Sequence, residues 1–333
     1  IMMDLNFLSV HFGDWVRDKN RRETSYGLLE TFVASAPQVG GRFDTDAAVL
    51  SLQAALKTKS NQELAFLALH IGFIPDHYSH DGSEETLYTK FVEVVVAEWG
   101  SRIGFKMTLQ KEKSSKEDVT FELGNRIAVC DVKSYRLGRS QKAPNVKDTI
   151  KQGDYMKWLR AYNSSSPVGG LVTFPSAHDW QGKSDVYSYV SDHSSPILLL
   201  FYEHLAFLLL KKGTVMNESF FEVLSRYKTI FKDGHSKSRT EYWTKIHTEI
   251  NRITASPTID AFIDQTKSIV HEVAKWSAEK LVKRIENSKA EIEKDIENLS
   301  PEELKSRLFE SEFELRTGQY SEQLKNIVRF RLK

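Results

Sequence analysis

The sequence predicts an α/β protein, a central sheet flanked by helices, with a helical region before the sheet and another after it. Three observations predict it. Glu117 to Leu123 and Arg126 to Val132 are rich in strand-forming residues and flank Gly124-Asn125, a two-residue hairpin signal. Val168–Phe174 and Ile197–Phe201 are apolar runs, and the second is continuous enough for a strand buried on both faces. Apolar residues elsewhere recur at helical spacing.

Taken in order, helical fragments are expected at Tyr26–Val33 and Asp46–Leu56, separated by a loop, SAPQVGGRFDTD, in which no chemistry is evident. Ser60 and Glu63 form a capping box ahead of Leu64, Phe66, Leu67 and Ile71. The loop DHYSHDG follows; its His77, His80 and Asp81 lack zinc-ligand spacing and read as solvated. Ser83 is expected to cap a helix reaching Trp99; Glu84 and Glu85 in its first turn read as favouring the helix dipole, the sharper alternative being that Glu85 reaches Asp118 and Asp131 as an extra ligand or water-holder. A strand at Phe105–Leu109 leads to the hairpin. His204, near the start of a short helix ending at Leu210, reads as a hydrogen-bonded helix-end histidine. Ser256-Pro257 opens a long helix, and Ser300 with Glu303 caps the next. The long helix carries Ile259, Phe262, Ile269, Val273, Ile285, Ile292 and Ile296 as a stripe that needs a partner, either the core or a second subunit. The expected division is a helical region at 1–58, a core at 59–215 and a second helical region at 216–333.

Composition narrows the function. The formal net charge is +1, so nucleic-acid affinity requires a local patch. One cysteine, Cys130, rules out an intrachain disulfide and fits a reducing cytoplasm. The first residues do not read as a signal peptide, and the longest apolar stretch, broken by Glu203-His204, is too polar to span a bilayer, so no membrane is expected. Dinucleotide and P-loop fingerprints are absent.

The hairpin carries the chemistry. If Gly124 and Asn125 are its loop, paired residue numbers sum to 249, and Asp118 lies opposite Asp131. Opposed side chains have Cβ atoms about 4.5–5.5 Å apart. Strand periodicity puts Lys133 on the face of Asp131, while Val119, Phe121 and Leu123 face the core with Ala128, Cys130 and Val132. Two like charges that close require compensation. Mg²⁺ takes one or two carboxylates and leaves its other positions to water and phosphate. An Asp followed by Asp-x-Lys on a strand is the arrangement of the PD-(D/E)xK nucleases. Beyond it, residues 133–160 hold eight basic residues against two acids, with Tyr135, Tyr155 and Trp158 interleaved, as a surface that grips a phosphate backbone would.

Several blocks in this order resemble the HindIII family of type II restriction endonucleases: IGFIPD at 71–76, EETLYTK at 84–90, EDVTFELGNRIAVCDVKSYRLGR at 117–139 and LLLFYEHLAFLLL at 198–210. The likeness runs from about residue 55 onward. It implies a restriction-endonuclease-like fold around a mixed sheet, and a Mg²⁺-dependent homodimer cutting double-stranded DNA at a short palindrome. AAGCTT is the family's best-known target. A cognate DNA methyltransferase is implied functionally, not as a bound partner. Asp118, Asp131 and Lys133 match the family's catalytic acids and lysine, Glu85 matches a glutamate near the site, and the Val132 carbonyl would complete the metal's protein ligands with Asp118 and Asp131. Ser134, Tyr135, Arg136, Arg139, Lys142 and Lys147 are the expected DNA contacts. The rival readings are another nuclease on the same core and a non-enzymatic DNA-binding protein.

Overall fold

The computed structural model describes residues 3–110, 116–139, 150–162, 165–178 and 185–329, the last eleven by backbone alone. From the N-terminus, α1 (Leu5–Phe12), α2 (Lys19–Tyr26) and α3 (Leu28–Ala34) lead to a small antiparallel hairpin, β1 (Gln38–Val39) and β2 (Arg42–Phe43). This hairpin falls in the segment expected to be loop. Its signal was Gly40-Gly41, whose positive φ angles of 58° and 75° suit a two-residue turn. α4 (Thr45–Lys57) and α5 (Asn61–Ala68) follow, the latter with both arms of the Ser60–Glu63 capping box formed. After β3 (Phe73–Ile74) comes α6, Ser83–Ile103. Its cap is Gly82, not Ser83, and it runs past Trp99 to a left-handed Gly104, the residue that can end a helix there without Cβ strain.

The sheet is built from β4 (Lys106–Leu109), β5 (Val119–Leu123), β6 (Arg126–Val132), β8 (Ser166–Phe174) and β9 (Ile197–Phe201), in the order β4-β5-β6-β8-β9. A short β7 (Tyr135–Arg136) pairs parallel with β3. The first three sheet strands are antiparallel and the last three parallel, so the sheet is mixed. The crossover from β6 to β8 carries α7 (Gln152–Arg160), as a parallel connection requires. Burial accounts for the apolar runs: all five residues of β9 and six of the nine in β8 are buried. α6 covers the Phe121 face, with Trp99 edge-on to Phe121 at 6.0 Å.

Beyond the sheet lie α8 (Val186–Val190), α9 (Tyr202–Leu210), α10 (Met216–Ser225), α11 (Tyr227–Ile230), α12 (Arg239–Thr254), α13 (Ile259–Glu297) and α14 (Pro301–Arg329). His204 sits at the start of α9, its Nδ1 accepting from the Phe201 N–H at 2.9 Å. Contacts divide the chain into two compact units, Ile1–Ser277 and Ala278–Lys333. The expected stripe on α13 is split along its length. Ile259, Phe262, Ile269 and Val273 are buried, whereas Ile285, Ile292 and Ile296 are exposed. No described helix is long and apolar enough to cross a membrane.

Candidate active site

The β5–β6 hairpin forms in the expected register. Val119 pairs with Cys130 and Leu123 with Arg126, leaving Gly124-Asn125 as the turn with Gly124 at φ 62°. Asp118 continues the ribbon, its N–H donating to the Cys130 carbonyl at 3.0 Å. Its carboxylate Oδ2 accepts from the Val132 N–H at 2.7 Å. One strand residue turns its N–H and C=O to the same side, so the Val132 carbonyl also faces Asp118. Lys133 Nζ lies 2.7 Å from Asp131 Oδ1. Its backbone is pinned on both sides, N–H to the Thr173 carbonyl at 3.0 Å and carbonyl to the Tyr202 hydroxyl at 3.0 Å. Asp118, Asp131 and Lys133 therefore meet at one end of one ribbon.

The acid-bearing face is not open, as a two-faced hairpin would have it. Asp131 is 8% exposed, and the hydroxyl of Tyr155 on α7 donates to its Oδ2 at 3.2 Å. The ring crosses the sheet over Gly170, where an added Cβ would lie 2.5 Å from it. Burial, with Asp131 beside it, pushes the Tyr155 hydroxyl well above the usual tyrosine range, so it stays a donor. Two residues past α7, Tyr162 donates to Glu117, as does Thr120 at 2.9 Å. Tyr155, interleaved in the basic run, and Tyr162, just beyond it, thus hydrogen-bond the acids of the ribbon. Burial raises the Cys130 thiol too, consistent with an inert packed side chain.

Sequence reasoning missed Glu93. It lies on α6, lines a cleft of about 690 Å³ with Glu117 and Asp118, and accepts from Lys90 Nζ at 2.6 Å. Desolvation first, then the charges of Glu93 and Asp131, push Asp118 up to about 8 from an ordinary 3.8; the Val132 N–H and Lys133 pull the other way. A lone acid within Phe91–Val96, otherwise apolar and buried, was the signal available in the sequence.

Glu85 is corrected. Its carboxylate lies 3.0 Å from Arg136 Nη2 and accepts from the Asp81 N–H at 2.7 Å, so its charge is taken up by Arg136 and the loop. Arg136 is corrected with it: it is 7% exposed and donates to the carbonyls of Pro75, Asp76, Tyr78 and Ser79, a buried loop clamp. Tyr135 stacks on Phe174 at 5.9 Å, and its N–H donates to the Gly72 carbonyl at 2.8 Å. The Arg139 guanidinium lies over Tyr135 at 5.7 Å and donates to the Arg136 carbonyl at 2.9 Å. Ser134 is half-buried between β6 and β7. Lys142 and Lys147 lie outside the described residues. Lys151, Lys157 and Arg160 at the start and along α7 are exposed.

Among the described residues, no three His, Cys, Asp or Glu side chains converge as a ready-made metal trio. Mg²⁺ does not require one, since two carboxylates and a carbonyl leave room for water and phosphate. The donor set fits: it is all oxygen, and burial, with the charges of Glu93 and Asp131 behind it, lifts Asp118 toward neutrality as long as no cation offsets them.

A mixed sheet with helices against it and acids at the end of its central hairpin defines a restriction-endonuclease-like α/β protein. The model of the HindIII restriction endonuclease family matches residues 30–313, and the chain belongs to that family. The match begins well before residue 55, where the sequence likeness had been placed, and takes in most of α3 with β1 and β2. A search of curated proteins finds no match. Family membership makes the chain a nuclease with DNA as its substrate.

Proposed function

We propose that the protein is a type II restriction endonuclease that hydrolyses both strands of a short palindromic DNA site with Mg²⁺, leaving 5′-phosphate ends. The observation that carries this reading is the meeting of Asp118, Asp131 and Lys133 at one end of the β5–β6 ribbon, with Lys133 Nζ 2.7 Å from Asp131. Asp118, Asp131 and the Val132 carbonyl are the residues that would hold the cation. When bound, it supplies positive charge to the scissile phosphate as charge develops there.

The chain's own residues do the remaining work. The Val132 N–H and the Tyr155 hydroxyl each fix one carboxylate oxygen, so Asp118 and Asp131 are oriented before DNA arrives. Lys133, anchored through its backbone, orients a water for in-line attack on phosphorus. The new P–O bond forms as the bond to the 3′ oxygen breaks; the attacking water gives up a proton to solvent, and the 3′ oxygen takes one from solvent to leave as a hydroxyl. Glu93 holds water at the rim of the same cluster. A two-fold pair of subunits suits a palindrome, one site per strand. Exposed Leu308, Phe309, Phe313 and Leu315 on α14 give an apolar face for such a pair to bury.

The test is Asp131→Ala. It binds duplex DNA in calcium like the wild type and yields no cut product in magnesium; undiminished cutting would refute the assignment. Digesting a mapped plasmid with the wild type and sequencing the ends gives target and cut position, with AAGCTT the site to look for first. Discrete fragments support site-specific cutting, and a smear favours another nuclease on the same core.

A further inference from the structure

The β1–β2 hairpin has no part in the chemistry above, yet it forms one wall of the 690 Å³ cleft that Asp118 and Glu93 line, through Gly41, Arg42 and Phe43. It is held firmly at its base. The Asp44 N–H donates to the Pro37 carbonyl at 2.8 Å, the Asp44 side chain caps α4 by accepting from the Ala47 N–H at 3.0 Å, and Phe43 packs against the core. An isolated two-stranded ribbon is marginal in water, so this anchoring is what keeps it formed. Its tip, by contrast, has open space around it. A Cβ at Gly40 or Gly41 would meet no atom within 4 Å, and Val39 is 70% exposed. Two glycines at a protruding tip allow the backbone to approach a ligand closely.

Charge identifies that ligand. The cleft's acids repel a polyanion, and DNA enters only where cations stand at the rim. Lys90 is committed to Glu93 at 2.6 Å. Arg42 and Lys116 are exposed at the cleft, and among the described residues Arg42 makes no ion pair. A guanidinium on a rigid ribbon presents the fork geometry that a phosphate accepts.

We propose that the β1–β2 hairpin is an arm of the DNA interface, its Arg42 holding a backbone phosphate beside the cut site. The inference rests on the nuclease reading and extends it to a segment in which the sequence showed no chemistry.

The experiment measures duplex affinity in calcium from 50 to 200 mM salt for wild type, Arg42→Gln, Arg42→Lys and a control, Lys228→Gln, whose side chain is outside the cleft. Each lost phosphate contact flattens the slope of log affinity against log salt by about 0.9, or about 1.8 when two arms engage one duplex. Across that range, the wild-type advantage over Arg42→Gln shrinks by about 3.5-fold for one arm and about 12-fold for two. Arg42→Lys recovers the slope, and the control matches wild type. An Arg42→Gln slope equal to wild type overturns the proposal. So does an unchanged slope accompanied by lost discrimination between cognate and altered sites, which would mean a base contact. Wild-type cleavage separates the two inferences: if the wild type cuts and Arg42→Gln keeps its slope, the arm alone fails, whereas a wild type that neither cuts nor binds removes the nuclease reading.

Discussion

Two glutamates on α6 invite the same role, and the fold gives them different ones. Glu85, in the first turn, is joined to Arg136 and ties the helix start to the loop after β3; Glu93 lines the cleft with Asp118. Eight residues advance an α-helix by about 12 Å and turn it by about 80°. Sequence proximity to an active-site motif therefore says little about which acid on a helix reaches it. Helix phase against the sheet decides, and that phase is fixed by packing. On α6 it is set by Gly100, where a Cβ would lie within 2.8 Å of Met107 and Phe121 side-chain atoms.

The largest expected effect falls on the structural end of this pair. Removing one partner of a buried, hydrogen-bonded ion pair costs about 3–5 kcal/mol. Arg136→Ala strands the Glu85 carboxylate and several loop carbonyls, so denaturant unfolding shows a loss of that size. The same variant, assayed while folded, keeps the wild-type salt slope for DNA, because a buried guanidinium contacts no phosphate. A marginal change in stability joined to a flatter salt slope would return Arg136 to the DNA surface and break the comparison.

At the other end the expected effect is on catalysis. Loss of a group that orients metal ligands or their water costs about 10–100-fold. Glu93→Gln lowers single-turnover cleavage in that range, with little change in DNA affinity in calcium. Glu85→Gln leaves the cleavage rate near wild type in protein that remains folded. Reversal of the two, with Glu85→Gln the slower enzyme, would mean that α6 presents its first turn to the site.

The contrast also shows what could be read in advance. The hairpin was legible because a two-residue turn fixes every pair by arithmetic: once Gly124-Asn125 is the loop, Asp118 and Asp131 are brought together without reference to the rest of the chain. The apolar strands β8 and β9 and the cap at Ser60 were legible for the same reason, since each is a local property of consecutive residues. Glu93, Tyr155 and Arg136 were not. Their roles depend on which elements pack against the sheet, and at what phase. Tyr155 reaches Asp131 only because Gly170, on a strand fifteen residues away, has no side chain. Arg136 looked like part of a basic patch because charge was counted along the chain; β7 pairing with β3 takes it inside. The β1–β2 arm was missed for a simpler reason: its strands are two residues each, too short for an alternating pattern to be seen.

The smallest effect expected is a pH dependence that reports Glu93 directly. Burial first, then the charges of Glu93 and Asp131, raise the Asp118 carboxyl to about 8 against the opposing pull of the Val132 N–H and Lys133. A raised carboxylate pKa means that the folded state binds a proton the unfolded chain releases. Stability without metal therefore falls as pH rises from about 4 to about 8 and then levels off. In the proposed mechanism cation binding has the opposite sign: Asp118 would ligate as the ionised carboxylate, so below that pH each cation bound would expel a proton, and affinity is expected to rise by about tenfold per pH unit before reaching a plateau. Calorimetric Mg²⁺ titrations at pH 6, 7, 8 and 9 measure the slope, and Asp118→Asn removes it. Glu93→Gln withdraws a neighbouring negative charge and moves the plateau to lower pH, whereas Glu85→Gln leaves it in place. A plateau shifted equally by both, or by neither, would place the two glutamates in the same electrostatic position and undo the distinction between the turns of α6.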